Sequence, residues 1–319
     1  MPRPNFFIIG AAKCGTTSMA RYLEAHPDIA FSHRKEPHYF ARDLHMSKTW
    51  RTHTLDAYLK NFEHATDEPR IGEGSVWYLQ SRSAPREIAE FCPDPRVIVM
   101  LRNPTDAVIS WHKQLVYSGG EPLMNFEDAL AAEPARSAGE HLPPGVRVRE
   151  SLRYRWAFDF AQHLEPWIDA FGRERVLVLI FDDFLADVSA EYAKALNFLQ
   201  VDAAFRPDFP VHNETSTREL RNLGLRRWLL RQPPVVYRLG MAVPVHWRHK
   251  AGKLAAWLTR SKSVRPDPVS PETRSALRAH FAPGVERLSA MLDRDLTHWN
   301  TPTSCAAESK LAAETGAQL

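Results

Sequence analysis

The stretch Asn5-Phe-Phe-Ile-Ile-Gly10-Ala-Ala-Lys13-Cys14-Gly15-Thr16-Thr17-Ser18 decides the fold. Its apolar run Phe6–Ile9 reads as a buried strand, and the glycine-bounded turn that follows opens into a helix. Such a turn leaves backbone N–H groups free at a helix N-terminus, where the helix dipole adds partial positive charge and glycine lets an anion come close. Gly10 and Gly15 have the spacing of the nucleotide-binding pattern G-x-x-x-x-G-K-[ST], yet Thr16 stands at the lysine position and Lys13 sits inside the loop. No aspartate-bearing partner strand announces itself, which argues against magnesium-nucleotide hydrolysis. A glycine that merely turns a strand into a helix is the plainer alternative, but packing alone does not require Gly, Lys, Gly and three hydroxyl residues to meet in one turn.

A second cluster repeats the arrangement. Arg96-Val-Ile-Val-Met-Leu101 is a continuous apolar run of the kind found in buried parallel strands, and it ends in Arg102-Asn103-Pro104 before a helical stretch containing Ser110. Pro104 suits the first turn of that helix. Ligands of open α/β sheets bind at the carboxyl ends of the strands. There Arg102, through a charge-assisted fork, and Ser110, through its hydroxyl, would hold a second phosphate. The competing reading is a capping arginine and a serine turned to its own backbone.

On these residues the chain resembles the sulfotransferases that use 3′-phosphoadenosine 5′-phosphosulfate (PAPS). Gly10-Ala-Ala-Lys13-Cys-Gly-Thr-Thr17 is similar to their 5′-phosphosulfate loop, and Leu101-Arg102-Asn-Pro-Thr-Asp-Ala-Val-Ile-Ser110 to their 3′-phosphate motif. His33-Arg-Lys-Glu36-Pro-His38-Tyr-Phe40 resembles the Glu-x-His-Phe-Phe segment of the heparan sulfate glucosaminyl branch, whose glutamate is the catalytic base. Ser151–Tyr154 with Trp167, and then Arg175–Asp183, are similar to the family's helix and late core strand, so the resemblance covers about residues 5–200. It is thinner beyond, where Asn213-Glu-Thr-Ser216 and a closing helix ending near Trp299 fit the general pattern. Two departures stand out. The carbohydrate branch often carries lysine in a Glu-Lys-[ST]-Pro-x-Tyr segment, whereas this chain has Glu73-Gly74-Ser75-Val76-Trp77-Tyr78; its carboxyl-terminal Arg-Lys-Gly type motif is also absent, leaving Arg218 or Arg221 as replacements.

The resemblance implies in-line transfer of a sulfuryl group from PAPS to a hydroxyl or amine, leaving adenosine 3′,5′-bisphosphate (PAP), with no metal. Lys13 would neutralise the leaving oxygen while Ala12, Cys14 and Gly15 shape the loop and Thr16, Thr17 and Ser18 supply amides and hydroxyls to the 5′-phosphate. Glu36 would take the acceptor proton. If the segment is extended, His38 falls on the same side and would orient the acceptor or share the base role. The alternatives are a Glu36 paired at the surface with Arg34 or Lys35, and a His38 that only packs. Cys14 reads as a small residue of the turn, although an electropositive loop can lower a thiol pKa.

With 41 Lys and Arg against 38 Asp and Glu the chain is nearly balanced, and 44 % hydrophobic residues suit a globular α/β protein. We expect one domain over 1–300 and a disordered tail over 301–319, built on a P-loop-type central parallel sheet with helices on both faces. Strands are expected at 5–10, 70–73, 96–101 and 175–181, and helices at 15–26, 83–91, 105–116, 151–170, 185–199 and 271–294. Residues 118–147 read as a loop insertion. The three cysteines lack disulfide or metal spacing, and no apolar run is of membrane-spanning length, so a cytoplasmic protein is expected. Residues 218–265 hold twelve Lys or Arg against one acidic residue, Glu219, with tryptophans interleaved. That stretch is a solvated basic surface, a lid over an anionic ligand, or a peripheral membrane contact. It contains no recognisable nucleic-acid module. Two other functions remain open: a P-loop kinase of a small metabolite, and a non-catalytic nucleotide-binding or membrane-associated protein. The acceptor, whether a carbohydrate, a lipid, a natural product or another small molecule, and the oligomeric state are not legible.

Overall fold

The computed structural model describes residues 1–209 and 268–302. Five strands form one parallel sheet: β1 (Phe6–Gly10), β2 (Ile29–Phe31), β3 (Arg70–Gly74), β4 (Arg96–Leu101) and β5 (Val176–Ile180), in the order β2-β3-β1-β4-β5. β1 lies at the centre, buried along its whole length, because its side chains have no solvent face to serve. From β1 the chain first moves to one edge and later crosses to the other. Right-handed crossovers in opposite directions place α1 (Thr16–Glu24) on one face and α3 (Ala84–Phe91) on the other.

After β5 the chain returns to the α1 face through α9 (Phe181–Ala186) and α10 (Val188–Leu199), the latter packing on α1, β4 and β5. On the α3 face lie α4 (Pro104–Ser118), α7 (Tyr154–Ala157), α8 (Phe160–Phe171) and the late helix α11 (Pro271–Leu292). Local chemistry sets their ends. The Asn103 side chain accepts from Thr105 N at the start of α4, and Gly119 closes that helix with a φ of 80°. The Ser270 hydroxyl caps α11 at Thr273 N, with Pro271 in the first turn.

Three expectations need correction. β2 was not anticipated; at three residues it is too short to show a period. The helix expected over 151–170 is broken into a 3-10 turn (Arg149–Leu152), α7 and α8. On one continuous rod Phe158 and Trp167 would point roughly 180° apart. Both are buried, at 2 % and 0 % exposure, and the break lets each reach the core. The stretch 118–147 is no plain loop, since it holds α5 (Phe126–Ala131) and α6 (Glu133–Ser137). A buried pair orders it: Arg136 Nη1 and Nη2 donate to Glu121 at 2.5 and 2.9 Å, and the Tyr154 hydroxyl donates to the same carboxylate at 2.6 Å. The basic stretch 218–265 and nearly all of the expected tail lie outside the described residues.

Candidate active site

All five strands run the same way, so their carboxyl ends meet along one edge, and each delivers part of a single site. β1 leads into the loop Ala11–Gly15, which Ala11 N ties to the end of β4 by donating to Met100 O at 2.8 Å. Lys13 and Gly15 adopt left-handed φ values of 67° and 88°. At Gly15 an added Cβ would also lie 3.0 Å from Phe181 and 3.1 Å from Met100, so that position takes glycine. Helix α1 starts there without a capping side chain and without an acidic residue in its first turn, which leaves the positive end of its dipole to an anion. Thr16 and Ser18 are buried, and Thr17 is half-buried at the rim.

Cys14 is fully buried with its thiol directed to Ala12 O at 3.5 Å. Burial pushes the thiol up to about 12 against the pull of the nearby Arg102 and Lys13 charges, so it is a packing group and not a thiolate. The same proximity puts the β1 and β4 loops side by side. Arg102 follows β4 with its guanidinium 4.9 Å above the Phe181 ring, which begins the helix after β5. Behind it the Asn103 amide donates to Trp299 O at 3.2 Å, and Trp299 Nε1 donates to Asp182 at 2.9 Å, so the closing turn Thr297–Asn300 buttresses this corner. Ser110 sits roughly two turns into α4, half-buried.

The short strand β2 brings in Glu36 and His38. The segment is not extended: Glu36 and His38 have φ values of 59° and 51°. They meet nonetheless, with His38 Nε2 3.2 Å from Glu36 Oε2. The end of β3 fixes this bend, since Glu36 N donates to Gly74 O at 3.1 Å and His38 N to Ser75 Oγ at 3.0 Å. His38 is completely buried, whereas the Glu36 side chain keeps 18 % exposure. Burial pushes the Glu36 carboxyl up, but the His38 hydrogen bond and the His38 and Lys35 charges outweigh it and hold the group below the ordinary carboxylate range. Arg34 turns away to Thr49 O, Trp50 O and Thr52 Oγ1.

Two participants escaped the sequence reading. Lys35 Nζ bonds to Thr17 Oγ1 and lies 3.6 Å from Glu36 Oε1, so one ammonium bridges the phosphate loop and the carboxylate. Its sequence signal was adjacency to Glu36, read only as surface pairing. Glu73 is the second: fully buried at the end of β3, it receives hydrogen bonds from the hydroxyls of Tyr58, Ser75 and Tyr78. Ser75 and Tyr78 share the segment Glu73–Tyr78 with it, read in the sequence only for its missing lysine, whereas Tyr58 comes from an earlier stretch with no local signal. Arg218 and Arg221 lie outside the described residues.

Comparison with known proteins identifies the family of the fold. Heparan sulfate glucosamine 3-O-sulfotransferase 3B1 of Mus musculus is 28 % identical over 196 residues, covering 61 % of this chain and 46 % of that protein. The bifunctional heparan sulfate N-deacetylase/N-sulfotransferase 1 of Caenorhabditis briggsae is 23 % identical over 210 residues, covering 65 % and 23 %. The chain thus spans about half the length, or less, of these curated relatives. A sulfotransferase structure from Alicyclobacillus acidocaldarius superposes with a TM-score of 0.70 at 29 % identity, covering 94 % of this chain and all of that one. Residues 3–223 match the family model described as a sulfotransferase domain, and the chain belongs to that family.

Proposed function

We propose that this protein is a PAPS-dependent sulfotransferase that sulfates a hydroxyl or amine of a carbohydrate or a comparably hydroxylated acceptor. The observation that carries the reading is the Lys35 bridge, which sets the Glu36 carboxylate against the rim of the phosphate loop at Thr17. A phosphosulfate held by that loop would present its sulfur to an acceptor that Glu36 can also reach. The two glycan-acting relatives, one an O- and one an N-sulfotransferase by name, favour a glycan acceptor and both kinds of attacking atom.

PAPS fits the residues present: α1 offers an uncapped N-terminus free of acidic side chains, and Gly15 keeps side-chain bulk out of the cradle. When bound it supplies a sulfuryl group on an anhydride whose bridging oxygen departs with the 5′-phosphate. Lys13 and the first-turn amides of α1 neutralise charge growing on that oxygen, while Arg102 and Ser110 hold the 3′-phosphate. Glu36 accepts the proton that the acceptor loses as its new bond to sulfur forms and the old sulfur–oxygen bond breaks. His38, hydrogen-bonded to Glu36 Oε2, fixes the direction from which that proton is taken. Lys35 adds a second ammonium at the rim of the loop, between Thr17 and Glu36. The test is a transfer assay with isotopically labelled PAPS against glycans and hydroxylated or aminated metabolites, read as the added sulfuryl mass. No sulfated product across that panel, together with PAP binding no tighter than 5′-AMP, would overturn the proposal.

A further inference from the structure

We propose that Glu73 is a positioning residue: its ionised carboxylate orients the hydroxyls of Ser75 and Tyr78 so that their oxygens hold the main chain of His38–Phe40, and with it the Glu36 carboxylate. The bonds form a continuous chain. Ser75 donates to Glu73 Oε2 at 2.6 Å, and Tyr78 and Tyr58 donate to Oε1 at 2.7 and 2.9 Å. A hydroxyl has one hydrogen, so once it points at Glu73 the oxygen is left as an acceptor. Ser75 Oγ then accepts from His38 N at 3.0 Å, and the Tyr78 oxygen accepts from Phe40 N at 3.3 Å. With Gly74 O accepting from Glu36 N at 3.1 Å, every second amide of 36–40 is held by the end of β3 or the turn after it. This continues the sheet ladder through side chains, across a segment whose left-handed residues cannot continue it through backbone alone.

Among the described residues the groups that donate to this buried charge are three hydroxyls. Protonated, the carboxyl becomes a donor itself. Oε2 receives one bond where Oε1 receives two, so the proton goes to Oε2; the carboxyl then donates to Ser75, whose own hydrogen must turn toward His38 N or go unbonded, and this loosens the hold on 36–40. Burial pushes Glu73 up to about 7; the Ser75, Tyr78 and Tyr58 bonds pull it down, and the Glu36 carboxylate pushes it up again. The other groups facing it are these: Tyr58 from α2 (Leu55–Leu59), with Tyr39 stacked on Tyr58, and His38 beside Glu36. The flanking strands β1 and β2, Phe6–Gly10 and Ile29–Phe31, carry no titratable side chain. The clamp therefore opens as pH falls through neutrality.

The consequence for turnover rests on the proposed function, but amide hydrogen exchange does not. On the full chain, exchange of 36–40 is measured from roughly pH 5.5 to 8.5 and corrected for the intrinsic chemical rate. Wild-type protection should fall about tenfold across neutrality, the cost of one lost hydrogen bond, and Glu73→Gln should be low and flat over the whole range. Tyr58→Phe removes a donor that serves no amide. It should keep the high-pH protection and move the midpoint upward, because the carboxylate has lost a stabilising bond, and a merely structural glutamate would show no such shift. Should Glu73→Gln fail to fold, Ser75→Ala must lower protection at His38 at every pH. Wild-type protection that is flat across neutrality, or a Ser75→Ala variant as protected as wild type, overturns the proposal. If exchange behaves as expected while no acceptor is sulfated, the clamp stands and the functional reading fails.

Discussion

Replacing Arg102 separates the two phosphate sites, because adenosine 3′,5′-bisphosphate and 5′-AMP differ only by the phosphate that Arg102 is assigned to hold. In the free protein its guanidinium already lies over the Phe181 ring, 4.9 Å from the centroid, so little side-chain freedom remains to be lost on binding. A charge-assisted hydrogen bond contributes about 1.5–3 kcal/mol, and half-exposure of the residue favours the lower part of that range. Arg102→Ala should therefore weaken PAP by about 10–100-fold and 5′-AMP by less than about twofold. Arg102→Lys keeps the charge but loses the fork, and should fall between.

The assay is isothermal titration of each nucleotide into each variant without magnesium, with thermal unfolding of the ligand-free proteins as the check on folding. The wild-type protein should be stabilised far more by PAP than by 5′-AMP or ATP. If Arg102→Ala weakens PAP and 5′-AMP by the same factor, Arg102 supports the loop as a whole and the separate 3′-phosphate site is wrong. If neither ligand changes, the residue has no part in binding.

Lys13→Ala should lower turnover by about 10²–10³-fold with a small change in PAPS affinity, since Lys13 faces charge that grows only in the transition state; an effect confined to the Michaelis constant refutes that role. Glu36→Gln should retain PAP binding and lose about 10²–10⁴-fold in turnover, and near-normal turnover beside an inactive His38→Ala would move the base to His38. For stability, the folded protein keeps the Glu73 proton between the ordinary carboxylate range and about 7 whereas the unfolded chain releases it. Stability should thus fall as pH rises through that window, by at most about 3 kcal/mol, and Glu73→Gln should flatten this part of the denaturant-midpoint curve.

Much of the fold is legible because long apolar runs end abruptly. Phe6–Ile9, Val97–Leu101 and Val176–Phe181 each end at a charge or a glycine, and the glycines of the first turn point to an anion on their own. β2 is different: three residues carry no period, and its place at the sheet edge comes from pairing with β3. Its consequence, the delivery of Lys35, Glu36 and His38, was visible only through a motif. Extended geometry was the natural guess for Glu36 and His38, and it failed because Gly74 O and Ser75 Oγ capture their amides from the neighbouring strand. The absent lysine at position 74 is also clearer in three dimensions. A Cβ there would meet Phe31 and Ile8 at ordinary distances of 3.6 and 3.7 Å, so packing does not impose the glycine, while Lys35, in the segment after β2, brings an ammonium to Thr17.

Glu73 shows stability and function pulling in opposite directions on one atom group. Burial penalises the charge of a carboxyl set among hydroxyls and raises its pKa to about 7, so folding favours its protonated form below neutrality. Yet in the ionised form both Ser75 and Tyr78 donate to it and leave their oxygens free to accept from the amides of His38 and Phe40. Aromatic packing surrounds the network: Tyr58 stacks on Tyr39 at 4.7 Å and Phe40 lies edge-on to Tyr58 and Tyr78. Removing the charge, as in Glu73→Gln, should abolish this pH dependence of stability and at the same time release the hold on Glu36 at the loop.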